Sequence, residues 1–349
     1  MSRELMNRQS WRLSVHTYLT DTRRFQFFRT DRLRDGTYKY YISDLMNEKK
    51  GWAYWIAMHE ISMSMVGYTP PVFEGLYVKG LLASSSKSTV FRAASKSASG
   101  SSVSAADRDD EEADSDTDVA VKVYLDAKKA TEAEREKVMT MNVYSSVAAY
   151  RTLHPTVSIA GVIPILRGSQ KSCQFRGCRS CPMIVLDRVG SRVQPGHNGE
   201  IVRGSDLAQL VRLLQLVHTE MNLVHRDLKP DNIVVRNGEI YLLDWGTATK
   251  ANKITSYAGT PGFRVSRPVH TDRGMSHKPS PADDLLQLAR AAYCMLFDIP
   301  PPSVDVCPTL DAEDEEWNNR FNSSIWIRIV SVCRVCEYSE LADLFESIK

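Results

Sequence analysis

The 349-residue sequence has no long hydrophobic run. Nowhere do apolar residues continue for the ~18 positions that a membrane-spanning helix needs, so no transmembrane helix is expected. Met1-Ser2-Arg3-Glu4-Leu5-Met6-Asn7-Arg8 leads into no apolar stretch, so no secretory signal is expected. Ser2 stands where N-myristoylation needs glycine, which excludes that lipid anchor. Cysteines are few: seven, an odd number, read as reduced thiols and not as a disulfide framework. These absences together predict a cytoplasmic or nuclear protein with no membrane partner. Neither sign of charge dominates, and the net value is only +2. Such a diffuse excess does not indicate a nucleic-acid partner. There is no internal repeat at periods of ~20–50 residues.

What is present is ordinary in bulk and uneven along the chain. The 43% hydrophobic and 25% charged residues are near the averages for globular proteins, and the length predicts two domains or one bilobal one. The first 71 residues are rich in aromatics. Segments 24–30 and 37–44 read as two strands around the turn signal Asp35-Gly36. A helix is expected from about Trp52 to Val66, stopped by Thr69-Pro70-Pro71. This extension carries no catalytic motif and suits a structural or docking role. Residues 94–118 hold eight acids, two bases and seven serines, a net charge of −6, leaving +8 on the rest. With Val103 the one large apolar residue, this segment has little to offset its ordering entropy and is expected to be a disordered spacer. Ser104 and Ser115 each have an acid three residues on, a pattern open to an acid-directed kinase.

Chemistry concentrates after Leu223. The chain reads Leu-Val-His225-Arg226-Asp227-Leu228-Lys229-Pro230-Asp231-Asn232-Ile-Val-Val, and Asp244-Trp245-Gly246 follows the apolar run Ile240 to Leu243. Upstream lies Val119-Ala120-Val121-Lys122. These three motifs, in this order, resemble the ordered signature of the eukaryotic-type protein kinases, over about residues 76–296. The resemblance implies an α+β, bilobal fold. A β-rich small lobe would span 72–187 and a larger helical lobe, trimmed at its distal end, 188–349. Residues 1–71 would be an extension packing on or near the small lobe. The acidic stretch 94–118 and a cysteine-containing stretch 169–181 would be insertions in the small lobe. It also implies ATP and Mg²⁺ as cofactors, and an intracellular serine/threonine kinase acting on a protein substrate that the sequence does not reveal.

The residue types suit that chemistry. Phosphoryl transfer needs positioned phosphates, a held metal and an oriented hydroxyl more than covalent help. Asp227 can accept the hydroxyl proton, and Lys229, two residues on, can stabilise the transferring group. Asn232 and Asp244 offer hard oxygen ligands of the kind Mg²⁺ takes. By resemblance, Ala120 and Val90 cover the adenine with Leu186 and Val234, Leu82 opens the phosphate loop, and Asp187 to Val189 form the hinge. Lys122 would reach the phosphates and pair with a glutamate of the following helix. Val119, Val121, Val123 and Leu125 alternate with Ala120, Lys122 and Tyr124, which predicts a strand with Ala120 and Lys122 on one face. Glu136 shares a helical face with Met139, Val143 and Val147 and is the favoured partner; Glu134, facing Val138 and Met141, is the rival.

Departures from the family are equally specific. Its three loop glycines fall on Ala83, Ser85 and Ser88, which removes the freedom to adopt positive φ. Trp245 replaces the usual phenylalanine as an apolar plug. The Ala-Pro-Glu motif would fall on Val265-Ser266-Arg267 and is lost, with the glutamate that anchors that segment. Arg226 with Thr249, Thr255, Ser256 or Tyr257 offers a route to regulation by phosphorylation. Asp284, in Pro281-Ala282-Asp283-Asp284, matches an aspartate that braces the catalytic loop. The altered loop and lost motif keep open a pseudokinase, a scaffold or nucleotide-binding module without useful turnover, docking partners through the extension or acidic linker. A small-molecule kinase of related fold is a further alternative, against which Arg226 stands. Cys173, Cys178 and Cys181, closed by a ligand such as His197, have spacing compatible with zinc, as do Cys333 and Cys336. Ordinary thiols are the competing reading for both.

Overall fold

The computed structural model describes residues 14–20, 23–32, 38–50, 73–84, 88–95, 118–166, 172–175, 178–187, 190–192, 202–256, 259–265, 269–271, 274–303 and 309–348. The chain forms two compact units. The first comprises Met1–Ala130 with Gly168–Val185, and the second Thr131–Arg167 with Leu186–Lys349.

The first unit is β-rich. Strands β1 (Ser14–Thr20), β2 (Arg24–Arg32), β3 (Tyr38–Ile42) and β4 (Met46–Asn47) form an antiparallel sheet in the order β1-β2-β3, with β4 also on β2. The expected pair of strands is β2 and β3, in register from Phe28↔Ile42 to Arg32↔Tyr38. Phe25 and Phe27, two apart on β2, share a face and are buried with Met46. Asp35-Gly36 and the helix expected at Trp52 to Val66 lie outside the described residues.

A second sheet is built from β5 (Leu76–Ser84), β6 (Ser88–Ser95), β7 (Val119–Tyr124), β8 (Ser172–Phe175) and β9 (Cys178–Leu186), in the order β5-β6-β7-β9-β8. The glycine-poor loop is thus a β-hairpin, paired to Ser84↔Thr89, with register shifts flanking Gly80 and near Ala83. Its tip, including Ser85, lies outside the described residues. Two expectations are corrected here. The alternation read into 119–125 is not a strand with one wet face: Ala120 and Tyr124 are buried as well as Val119, Val121 and Val123, so both faces of β7 are covered, with Lys122 half-buried between them. Leu125 falls past the strand, in a bend. The acidic stretch is also shorter than 94–118. Ala94 and Ser95 complete β6, and Asp118 is fully buried, paired with Lys79 at 2.9 Å and Arg92 at 2.8 Å. Residues 96–117, with Ser104 and Ser115, are outside the described residues.

The second unit is mainly helical: α1 (Ala130–Leu153), α2 (Gly204–Thr219), α3 (Pro281–Phe297), α4 (Leu310–Arg320), α5 (Ser324–Val335) and α6 (Tyr338–Glu346). Helix α2 buries Leu207, Leu210, Val211, Leu213, Leu214 and Val217 in the core and turns Ser205, Gln215 and Thr219 to solvent. Helix α3 starts where Pro281 supplies a fixed φ at its first position and Ser280 N–H donates to the Asp283 carboxylate at 2.8 Å. Short strands β10 (Ser191–Arg192), β11 (Leu223–Val224), β12 (Ile233–Arg236), β13 (Glu239–Leu242) and β14 (Thr249–Lys250) carry the polar loops between them. β12 and β13 close over Asn237-Gly238, both at positive φ (51° and 74°), a two-residue turn that matches strand twist. No helix among the described residues is long and apolar enough to cross a membrane.

Candidate active site

The loop between β11 and β12 carries Asp227, Lys229 and Asn232, and its backbone is held from beneath. Asp284, on the first turn of α3, has no solvent exposure and accepts three hydrogen bonds. His225 N–H donates to Oδ2 at 2.6 Å, Arg226 N–H to Oδ1 at 2.8 Å, and His218 Nε2 lies 3.0 Å from Oδ2. A carboxylate only accepts, so His218 carries a proton on Nε2; its Nδ1 lies 2.8 Å from the Tyr338 hydroxyl, within hydrogen-bond distance. Burial holds the Tyr338 hydroxyl's pKa above the ordinary value, reinforced by Cys336 and Asp284. Gln287, one turn further along α3, accepts from Leu228 N–H at 2.9 Å and donates to the Arg226 carbonyl at 3.4 Å. These contacts secure Arg226 in the left-handed region, φ 77°, a conformation that a non-glycine residue keeps only when its surroundings impose it.

Above this base the Asp227 carboxylate is surrounded by donors. Lys229 Nζ lies 2.9 Å from Oδ2, and the Thr260 hydroxyl donates to Oδ1 at 2.6 Å. Lys229 also donates to Thr260 Oγ1 at 2.8 Å, closing a triangle of Asp227, Lys229 and Thr260. Asn232 turns its amide N–H groups to the Asp227 main-chain carbonyl at 2.8 Å and to Oδ2 at 3.3 Å, which leaves its side-chain carbonyl oxygen as the acceptor. Asp244, two residues past the end of β13, lies in the left-handed region at φ 62° and leads into the short turn Trp245–Thr247. A Cβ added at Gly246 would stand 3.1 Å from Glu136 Oε2 and 3.5 Å from Asp244 Oδ1, so the glycine lets these two carboxylates approach the same turn. Glu136 is buried on the α1 stripe Ala133, Glu136, Thr140, Val143 and Val147, whereas Glu134 is exposed. Trp245 is fully buried, edge-on to His225 at 4.7 Å, with its indole N–H donating to the Leu242 carbonyl at 3.2 Å.

The remaining site residues fall in two places. In the first unit, Lys122 stands opposite Val90 in the β6/β7 register, with Nζ 5.5 Å from the Tyr124 ring centroid and Ala120 two residues before it on the same face. Leu82 is exposed on β5. In the second unit, Val234 packs with Ile163, Tyr241, Leu186 and Leu243, and Asp187 N–H donates to the Pro164 carbonyl at 2.9 Å. Val189 lies outside the described residues. Motif reading misses Thr260, Gln287 and Thr247, the last donating to the His225 carbonyl at 2.9 Å. Arg226, set aside as a phosphate ligand, is buried and spends its guanidinium on the carbonyls of Thr247, at 3.1 Å, and Ser256.

The cysteines divide similarly. Cys173 and Cys181 are buried and face each other across β8 and β9. The Cys178 side chain and His197 lie outside the described residues. Cys333 is buried in the core with its thiol donating to the Leu285 carbonyl at 3.4 Å, and Cys336 caps α5 at φ 58° with its thiol on the Cys333 carbonyl at 3.8 Å. Among the described residues no group of three or more His, Cys, Asp or Glu is placed to hold a metal ion.

Residues 188–314 match the family model described as "Protein kinase domain". A citron Rho-interacting kinase of Mus musculus is 45% identical over 62 residues, 16% of this chain and 3% of the relative. Serine/threonine-protein kinase PknG of Mycobacterium leprae is 27% identical over 124 residues, 33% of this chain and 15% of the relative. A citron rho-interacting kinase of Rattus norvegicus is 31% identical over 150 residues, 41% of this chain and 7% of the relative. The matched segments thus span between 3% and 15% of these relatives.

Proposed function

We propose that this chain, whose residues 188–314 match a protein kinase domain, is a protein kinase that transfers the γ-phosphoryl group of ATP to serine or threonine hydroxyls of a protein substrate. The observation that carries this reading is the Asp227 carboxylate held between Lys229 at 2.9 Å and Thr260 at 2.6 Å, on a loop braced by buried Asp284. Asp227 is fixed in one orientation and its carboxylate oxygens are at the surface of the loop, 13% exposed, where an incoming hydroxyl can donate its proton. Lys229 offers its ammonium to the oxygens of the transferring group.

The donor set fits a magnesium nucleotide. The Asn232 carbonyl oxygen and the Asp244 carboxylate are hard oxygen ligands, few in number, as Mg²⁺ takes when phosphates and water complete its shell. When bound, ATP and Mg²⁺ supply the phosphoryl group and neutralise its charge. The roles that the kinase resemblance implies for Lys122 and Glu136, and for Leu82, Val90, Ala120, Leu186, Asp187, Val189 and Val234 toward the nucleotide, belong to the same proposal.

The test is transfer from labelled Mg-ATP to a basic acceptor protein, followed by identification of the labelled amino acid. Labelled serine or threonine with wild type, and a loss of ~10²–10⁴-fold with Asp227→Ala, is the expected result. Nucleotide binding without transfer, from folded protein, overturns the enzyme and favours the scaffold. Label on tyrosine or on a small molecule overturns the substrate class.

A further inference from the structure

Glu313 is a buried carboxylate far in sequence from the 225–232 loop, and its hydrogen-bond donors come from Arg264, four residues after Thr260. It lies on α4 with 1% exposure. Its Oε1 accepts from Arg264 N–H at 2.8 Å, and its Oε2 from Arg264 Nε at 2.9 Å. Arg290 on α3, also buried, brings Nη1 within 3.7 Å of Oε1, donates to the Arg264 carbonyl, and pairs through Nη2 with Asp314 at 2.6 Å. One turn along α4, Trp317 donates its indole N–H to the Gly262 carbonyl at 2.8 Å. Glu313 and Trp317, four residues apart, share a helix face, so a single face of α4 grips the Gly262 carbonyl and the Arg264 amide. Gly262 itself, at φ 89°, has no room for a side chain: an added Cβ would stand 2.8 Å from Pro301. Phe263 N–H turns back to the Thr260 carbonyl at 3.0 Å, which ties the gripped residues to the threonine that touches Asp227 and Lys229. Val265-Ser266-Arg267, next in the chain, supply no carboxylate of their own.

We propose that Glu313, acting with Arg290, is a positioning residue for phosphoryl transfer, holding Thr260 against the Asp227–Lys229 pair from a helix outside the loop. The effect on turnover rests on the kinase reading; the effect on the segment does not. Removing the charge by Glu313→Gln leaves half-buried Arg264 and buried Arg290 without their shared carboxylate and loosens the grip on Arg264. The amides of Phe263 and Arg264 then exchange hydrogen at least ~10-fold faster while those of α2 and α3 keep their protection. In the same variant kcat falls ~10-fold with the KM for ATP unchanged. Asp314→Asn, which removes the half-exposed outer partner of Arg290 and leaves Glu313 in place, keeps kcat within ~2-fold.

The experiment is hydrogen exchange read by mass spectrometry on the full chain, paired with steady-state kinetics, for wild type, Glu313→Gln and Asp314→Asn. Glu313→Asp is carried alongside: it keeps the charge but draws it back by one methylene, and shows smaller changes in the same order if the glutamine variant fails to fold. Unchanged exchange at 260–264 overturns the proposal. So does faster exchange spread evenly over α2, α3 and α4, which marks general loosening. If wild type shows no transfer, the kinase reading fails, and the exchange pattern alone still decides whether Glu313 holds the segment.

Discussion

Replacing Asp284 by asparagine changes one buried atom and removes one charge. The carboxylate accepts from His225 N–H and His218 through Oδ2, and from Arg226 N–H through Oδ1. An amide has only one acceptor oxygen. Its better orientation keeps that oxygen toward His225 and His218 and sets an NH₂ group against Arg226 N–H. One buried donor is then unsatisfied, at a cost of ~1–3 kcal/mol, and the two surviving bonds lose their charge assistance, ~0.5–1 kcal/mol each. The sum is a destabilisation of about 2–5 kcal/mol. Arg226, no longer tied at φ 77°, is free to relax toward ordinary φ and to carry Asp227 with it. Urea unfolding of Asp284→Asn, followed by the near-ultraviolet signal of the buried tryptophans, is expected to show the lower midpoint. Phosphotransfer is expected to fall more than ~10-fold in protein that is still folded. A midpoint loss worth less than ~1 kcal/mol with undiminished activity would refute the reasoning, because the three contacts would then carry neither stability nor geometry.

Trp245→Ala empties a fully buried site and is expected to cost ~3–5 kcal/mol by urea denaturation, while Trp245→Phe keeps the edge contact with His225 and loses less. His277 has its pKa held below the ordinary value by burial first and then by the Arg226 charge, with Asp283 pulling the other way. The unfolded chain therefore takes up a proton near pH ~6.5 that the folded chain refuses until lower pH, so this contribution to stability is intact above that pH and lost below it. Melting from about pH 7.5 to about pH 5.5 should show a falling midpoint, with a shallower fall in His277→Gln. Burial pushes the Cys294 thiol up to about 11, against an opposing pull from Arg320. At about pH 8 its thiolate fraction is ~100-fold below that of an unfolded cysteine, so iodoacetamide should label it slowly in native protein and rapidly in urea.

The loop 225–232 was legible in sequence because the chemistry proposed for it demands adjacent polar residues in fixed order. Asp227, Lys229, Asn232 and Asp244 advertise themselves. Asp284 was also readable, and Gln287 could have been: it lies one helical turn beyond Asp284, so the two must reach the same loop. Thr260 and Glu313 carried no such signal. Their partners lie 33 and 49 positions away in sequence, and only the folded chain brings them together. The choice between Glu136 and Glu134 depended on which side of α1 is covered. The stripe through Ala133, Thr140, Val143 and Val147 buries Glu136, a pattern diluted in sequence by Thr140. β7 misled for a different reason: alternation describes a strand with one wet face, and this one buries residues on both of its faces. The edges of the acidic segment misled too, since Asp118 looks like its acidic neighbours and differs only in having Lys79 and Arg92 beside it.

A single-turnover measurement of phosphoryl transfer to a serine-containing basic peptide, at saturating Mg-ATP, tests the central claim most directly. Wild type, Asp227→Asn and Thr260→Val would be compared, each shown to be folded. The account predicts transfer by wild type, a loss of ~10²–10⁴-fold for Asp227→Asn, and a smaller loss for Thr260→Val with nucleotide affinity retained. Equal rates for wild type and Asp227→Asn would contradict it.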